Sequence, residues 1–285
     1  GYIYNNTTAS IPTDNLKAYY KLNGDAKDET GNYNGTETNI IYNYSGTASN
    51  VTYQEATKFS PDFIWIKDRD ATNWHNLQDT IRGATKHVYS NAANAEDTTS
   101  DGLTSFDSNG FTVGGGGGFG NSGNRFVAWC WKAGGSVSAG NNSVGSETTT
   151  VSANQDSGFS IVKLNKTDTN SRTYGHGLSS IVEMIILKRT ASSDDWYIYH
   201  KDLGNTSRVS LNSSAAVVTG TGVWGSTNPT DEVFTLQNQL GGDHIAYCFH
   251  SVNGYQKIGS YTGNGSANGT IVETGFEPAF LMIKK

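Results

Sequence analysis

The sequence predicts an all-β protein built from tandem β-sandwich modules, and three observations carry that expectation. Short apolar or β-branched runs are bounded by Gly- and Asn-rich turns, as in Phe63-Ile-Trp-Ile66, Met184-Ile-Ile-Leu187 and Val233-Phe-Thr-Leu236. No window of helical length carries an i, i+3, i+4 apolar stripe. The chain also repeats itself, as tandem modules must.

The repeat is read from two comparisons. Tyr44–Lys67 lies over Tyr261–Lys284 without a gap, matching Phe59 to Phe276, Pro61 to Pro278, Phe63 to Phe280 and Lys67 to Lys284. A second comparison, at an offset of 121, pairs Ile64/Ile185, Lys67/Lys188, Gly83/Gly204, Thr85/Thr206, Val88/Val209 and Asn91/Asn212. Trp74 falls near Trp196, and Phe111 near Phe234. These matches divide the chain into an opening segment (1–43), module one (44–135), a Gly/Ser/Thr-rich linker or loop (136–157), module two (158–252) and the start of a third module (253–285). A third unit that stops after its first apolar run implies a longer parent chain, as does a first residue, Gly1, with no signal-like region behind it.

The elements follow in chain order. Leu16, Ala18, Tyr20 and Leu22 alternate with polar neighbours as a half-buried strand, and a Gly/Asn turn leads to a second strand at Ile40–Tyr42. Phe63–Ile66 and its copies Met184–Leu187 and Phe280–Ile283 are continuous apolar runs, the pattern of strands covered on both faces. Trp196–Tyr199, Arg208–Leu211 and Val233–Leu236 are β-branched or aromatic strands. Gly114–Gly118 reads as a flexible loop between strands. In Phe126-Val-Ala-Trp-Cys-Trp131, Trp129 and Trp131 share one face, Ala128 and Cys130 the other; His244-Ile-Ala-Tyr-Cys-Phe249 repeats the pattern. Cys130 and Cys248 therefore occupy equivalent places in separate modules and are expected unpaired and buried, because a disulfide needs Cα atoms within about 7 Å.

Composition narrows function. Charged residues are 16% of the chain, against roughly 25% in an ordinary domain, and the net charge is −6. Nucleic-acid binding, which needs clustered Lys and Arg, is therefore not expected. No run of apolar residues is long enough for a membrane helix, so no membrane insertion is expected. Aromatic residues at 11% argue against disorder.

Two resemblances follow from quoted residues. Asn15-Leu-Lys-Ala-Tyr-Tyr-Lys-Leu-Asn-Gly-Asp25 with Thr30-Gly-Asn-Tyr-Asn-Gly35 resembles the opening of laminin-G-like, concanavalin-type (jelly-roll) domains. Pro61-Asp-Phe-Ile-Trp-Ile-Lys-Asp-Arg69, Asp79-Thr-Ile-Arg-Gly-Ala-Thr-Lys86, Ser108-Asn-Gly-Phe-Thr112 and Val127-Ala-Trp-Cys-Trp-Lys-Ala-Gly-Gly135 resemble a module of marine bacteriophage proteins, and Trp196–Gly204, Ile245–Phe249 and Gly259–Gly265 resemble its companion copy. Ile181-Val182 departs from it where the other copies carry Pro. That resemblance implies a virion structural protein, tail-fibre-like, at the virion surface or outside the cell, and no catalytic residues.

Candidate sites are few. The paired acidic strand of concanavalin-type glycosidases, a Gly-x-Ser-x-Gly elbow and a His-Glu-x-x-His zinc pattern do not occur in the sequence, so no enzyme is expected. The six histidines are scattered and read as structural. Calcium is a candidate cofactor through Asp25, Asp28 and Glu29, or through Asp68 and Asp70, although neither group has a full cage spacing. Trp129, Trp131, Tyr247 and Phe249 read as packing residues. Tyr19, Tyr33, Tyr42, Tyr44 and Tyr53, set among polar neighbours, are the candidate glycan contacts. The reading is a virion tail-fibre or surface-spike component that self-associates, as a trimer by analogy with fibres, joins other virion proteins and touches host glycans. A carbohydrate-binding adhesin is the alternative, and a glycoside hydrolase the third.

Overall fold

The computed structural model describes residues 59–116, 118–134, 140–168, 170–220, 222–225, 227–237 and 241–285. They belong to one compact unit, residues 58–285. The two repeats appear in it as two copies of one strand order. Repeat one gives β1 (Phe63–Asp68), β2 (Asn76–Asp79), β3 (Lys86–Tyr89), β4 (Asp97–Thr98), β5 (Leu103–Asp107), β6 (Gly110–Val113) and β7 (Phe126–Trp131). Between the repeats come β8 (Gly140–Asn142), β9 (Thr149–Asn154), β10 (Phe159–Lys166) and β11 (Arg172–Gly175). Repeat two follows with β12 (Met184–Arg189), β13 (Tyr197–His200), β14 (Ser207–Ser210), β15 (Val218–Thr219), β16 (Val233–Leu236) and β17 (Gly242–Phe249). All ladders among the named strands are antiparallel, and no described residue is helical.

The first sheet runs β4-β3-β2-β1-β7; the second runs β15-β14-β13-β12-β17-β10-β9-β8. Registers match as well as order. Ile64 faces Cys130 across one ladder and Ile185 faces Cys248 across the other; Phe63 faces Asp79 as Met184 faces His200.

The repeated residues have repeated duties. Val88 and Val209 pair with Leu77 and Ile198, all four buried. Gly83 (φ +95°) and Gly204 (φ +71°) turn the chain after β2 and β13, donating to the carbonyls of Asp79 and His200. Their left-handed backbone is disfavoured for a residue with a Cβ. Asn91 Oδ1 accepts the His75 N–H at 2.9 Å, and Asn212 Oδ1 accepts the Trp196 N–H at 3.0 Å. His75, not Trp74, is thus the counterpart of Trp196, and Trp74 is 45% exposed. One equivalence is invisible as an identity. Asp62 accepts the Ala133 N–H at 2.9 Å, and Glu183 accepts the Ser251 N–H at 2.7 Å, so a carboxylate at the start of each repeat holds the chain leaving its last strand. Asn212→Ala is expected to cost about 1–3 kcal/mol, the penalty of orphaning a polar group, and Asn91→Ala less because that side chain is exposed. Urea unfolding of the two variants checks both values and their order.

Strand alternation sends each sheet's side chains to two faces, and the faces meet different layers. In repeat one Ile64 and Ile66 pack with Leu103 and Phe119 beneath the β5–β6 hairpin. In repeat two Ile185, Leu187, Ala246 and Cys248 pack with Tyr174, Trp224 and Phe234 beneath the β11–β16 pair. The opposite faces pack on each other. Phe63, Leu77 and Val88 share one core with Phe159, Ile186, Trp196 and Tyr247. Each repeat is a small sandwich, and the two are joined by a third sandwich made between their sheets.

Three sequence readings change. The segment 136–157, expected as linker or loop, carries β8 and β9, which extend the second sheet beyond β10. Its Thr149-Thr-Val-Ser152 run has strand character that the surrounding Gly and Ser obscured. Phe280–Ile283, expected as a strand, forms no ladder; a strand needs a hydrogen-bonded neighbour, and none of the described residues supplies one. Phe280 instead packs on Trp65, Trp129 and Trp131, with ring centroids 5.2–6.4 Å apart. Of the Gly114–Gly118 run, expected as a flexible loop, Gly114 and Gly116 pack against Asp101 and Gly118 against Asn73, closely enough that a Cβ on Gly114 would collide with the Asp101 carbonyl.

Both cysteines are free thiols. Cys248 is buried as expected, but Cys130 is half-buried, because β7 has a neighbour on one side only among the described strands while β17 lies between β12 and β10. Burial pushes both thiols above their usual pKa. A thiol reagent is therefore expected to modify Cys130 slowly in the native protein and Cys248 only after unfolding, giving one and then two thiols per chain.

Candidate functional site

The repeats diverge where they touch each other, and the divergent residues build a polar seam through the shared core. Asp79, at the end of β2, and Arg82, in the turn that follows, have side chains 0% and 2% exposed. Arg82 Nε donates to Asp79 Oδ2 at 2.6 Å, and its Nη2 donates to the Leu77 carbonyl at 2.9 Å and to the Tyr247 hydroxyl at 3.1 Å. The Tyr247 O–H in turn donates to Asp79 Oδ2 at 2.9 Å. Burial pulls the Arg82 pKa down, but the Asp79 carboxylate beside it more than reverses this, and the guanidinium stays charged. Burial also pushes the Tyr247 phenol well above its ordinary pKa. Every strong donor and acceptor is matched, the condition under which a buried ion pair is tolerated. In repeat two the positions of Asp79 and Arg82 are held by His200 and Leu203, so this seam exists once.

Further bonds cross the same boundary, among them those of Lys188 and Trp196. Lys188 is fully buried, and its Nζ donates to the carbonyls of Ala93, at 3.1 Å, and Asp194, at 2.8 Å. Burial draws its pKa down to about 8. Its copy Lys67 stays within its own loop, donating to the Ala71 carbonyl at 3.0 Å. Trp196 Nε1 donates to the Tyr89 carbonyl at 2.7 Å.

The boundary between the repeats also carries a shallow, open cleft of about 380 Å3. Repeat one supplies Trp65, His75, Ser90 and Asn91, and repeat two supplies Asn212 and Ser214 with their neighbours. The two asparagines that hold equivalent turns thus meet across one opening. Trp65 Nε1 donates to His75 Nδ1 at 3.0 Å, which places the proton of a neutral His75 on Nε2. Burial, with the Lys67 charge adding, lowers the His75 pKa. Asn212 is fixed at both ends, its Nδ2 donating to Asp195 Oδ1 at 2.9 Å.

The candidate residues read from the sequence fare differently. Tyr19, Tyr33, Tyr42, Tyr44 and Tyr53 lie outside the described residues, as do Asp25, Asp28 and Glu29. Asp68 and Asp70 are committed to the protein itself. Asp68 accepts from Asn73 and Asn124 side chains and from two backbone N–H groups, and Asp70 binds Arg125. Neither carboxylate is free to begin a calcium cage, and the described residues hold no cluster of three His, Cys, Asp or Glu able to ligate a metal. Trp129 and Trp131 do share the face turned to the second sheet, opposite Trp65 and Phe63. Nothing in the spacing of Asp79–Lys86 signals that Tyr247, 168 positions from Asp79, lies against Asp79 and Arg82. Asn91 and Asn212 were signalled by their identity, but not their meeting.

No curated protein and no solved structure matches the chain. The model of a domain of unknown function, DUF7483, matches residues 33–285 and so spans both repeats, the seam and the cleft between them; the chain belongs to that family.

Proposed function

We propose that the chain is a non-catalytic structural protein of a virion, a tail-fibre or surface-spike component of a marine phage that holds shape and meets host-surface glycans. The observation that carries the reading is the way the repeats are joined. Two copies of one topology dock sheet on sheet through a shared aromatic core and a fully bonded polar seam, which gives a stiff, strand-rich block suited to bearing load. The sequence resemblance to phage modules supplies the setting. Self-association belongs to the same reading. Leu281 and Ile283 are each 66% exposed, whereas their counterparts Ile64 and Ile66 are buried, so the C-terminal segment offers an apolar face to a neighbour. Light scattering is expected to give a homo-oligomer, a trimer for a fibre.

The test is location. Mass spectrometry of purified particles is expected to find the chain, and immunogold labelling to place it on tails or spikes. Recovery from the host-cell surface or medium, with none in particles, would replace this reading with that of a secreted adhesin.

A further inference from the structure

We propose that the cleft between the repeats binds a neutral sugar unit, of monosaccharide to disaccharide size, within a host-surface glycan. This rests on the reading of the chain as a host-contacting protein and adds a glycan contact at the boundary between the repeats, leaving the candidate amino-terminal tyrosines as they stand.

The chemistry of the walls selects the ligand. Trp65, half-buried among His75, Trp129 and Phe280, lines the cleft and turns the exposed part of its ring system toward the C–H face of a pyranose. The Trp65 bond to His75 Nδ1 leaves Nε2–H as a donor of fixed position. Asn91 has its Oδ1 occupied by the His75 N–H, so its Nδ2, with no partner among the described residues, is an oriented donor too. Ser90 and Ser214 add hydroxyls that can donate or accept. A sugar presents a matching mixture, hydroxyl oxygens around an apolar ring face. No lining residue carries a formal charge, and Lys284, whose Nζ reaches the rim, donates to the Ser213 carbonyl, so an acidic sugar would lose hydration without gaining an uncommitted countercharge. The cleft is shallow and open, about 380 Å3, so one or two rings would lie against its wall rather than be enclosed. The cleft also needs both repeats, since the aromatic wall and the imidazole come from one and the opposite polar rim from the other.

The test uses the full 285-residue chain on an array of neutral and sialylated oligosaccharides at neutral pH. The strongest neutral hit is then titrated by calorimetry against the wild type, Ser214→Trp and Asn91→Asp. Ser214 is exposed, so a tryptophan there fills the cleft without entering the core; aspartate at 91 keeps the Oδ1 acceptor and removes the donor. Binding is expected to weaken at least about tenfold in Ser214→Trp and severalfold in Asn91→Asp, with melting temperatures unchanged. An array with no neutral hit, hits confined to sialylated glycans, or full affinity in both variants would each overturn the site. Particle location is read independently by immunogold, so a blank array removes this inference and leaves the virion reading standing.

Discussion

Arg82→Met is expected to destabilise the protein by about 3–5 kcal/mol, the penalty for removing one partner of a buried ion pair. The Asp79 carboxylate, 0% exposed, would keep the Tyr247 hydroxyl and the backbone N–H of residue 82 but lose the one cation that pairs with it among the described residues. The Leu77 carbonyl and Glu96 would lose their guanidinium contacts as well. Tyr247→Phe should cost less, about 1–2 kcal/mol, because it deletes a neutral hydroxyl and leaves the pair intact. A double replacement of Asp79 and Arg82 by Leu and Met should recover much of the single-variant loss, since no charge is then stranded. Urea unfolding at neutral pH measures all three. A loss below 1 kcal/mol in Arg82→Met would show that the seam is not what fixes the docking of the repeats.

Acid should unfold the second repeat's core before carboxylate protonation becomes general. His176 and His244 are buried, at 0% and 1% exposure, and burial lowers both to about pKa 4 from the usual 6.5. Each is bonded in the neutral form. His176 Nδ1 accepts the Leu178 N–H, and His244 points Nδ1 at the Gly242 carbonyl while its buried Nε2 has no partner. The unfolded chain takes up these protons near pH 6.5 and the native one only near pH 4, so between those values the unfolded state binds more protons. Stability is therefore full above about pH 6.5 and falls as the pH drops toward 4, by up to about 3 kcal/mol for each histidine. Chemical denaturation in steps from pH 7 to pH 4 reads the slope, and His244→Gln should remove one histidine's share of it, the lowered pKa values of His75 and His87 adding to the remainder. A flat profile across that window would contradict the assignment.

How much of this was legible in the sequence depends on the reach of the interaction. Gly83/Gly204, Asn91/Asn212 and Val88/Val209 appeared as identities because each serves a turn or a neighbouring strand, and a local duty leaves a local pattern. The apolar runs Phe63–Ile66 and Met184–Leu187 gave away central strands for the same reason. Asp62 and Glu183 share a duty but not an identity, so only their hydrogen bonds reveal it. Phe280–Ile283 shows the converse, a strand-like pattern that makes no ladder because pairing needs partners that the pattern does not contain.

The sequence by itself determined the all-β class, the two copies and the positions of most of their strands, because alternation, turn residues and internal identity all act over a few residues. The tertiary structure decided that the two sheets face each other, that Arg82 and Asp79 receive Tyr247, that Lys188 reaches Ala93, and that Asn91 and Asn212 border one cleft. Those contacts join residues 95 to 168 positions apart, each in a side chain whose own neighbours look ordinary. They arise only when two amphipathic sheets bury their remaining apolar faces against each other, and the polar groups caught at that boundary must then find partners there.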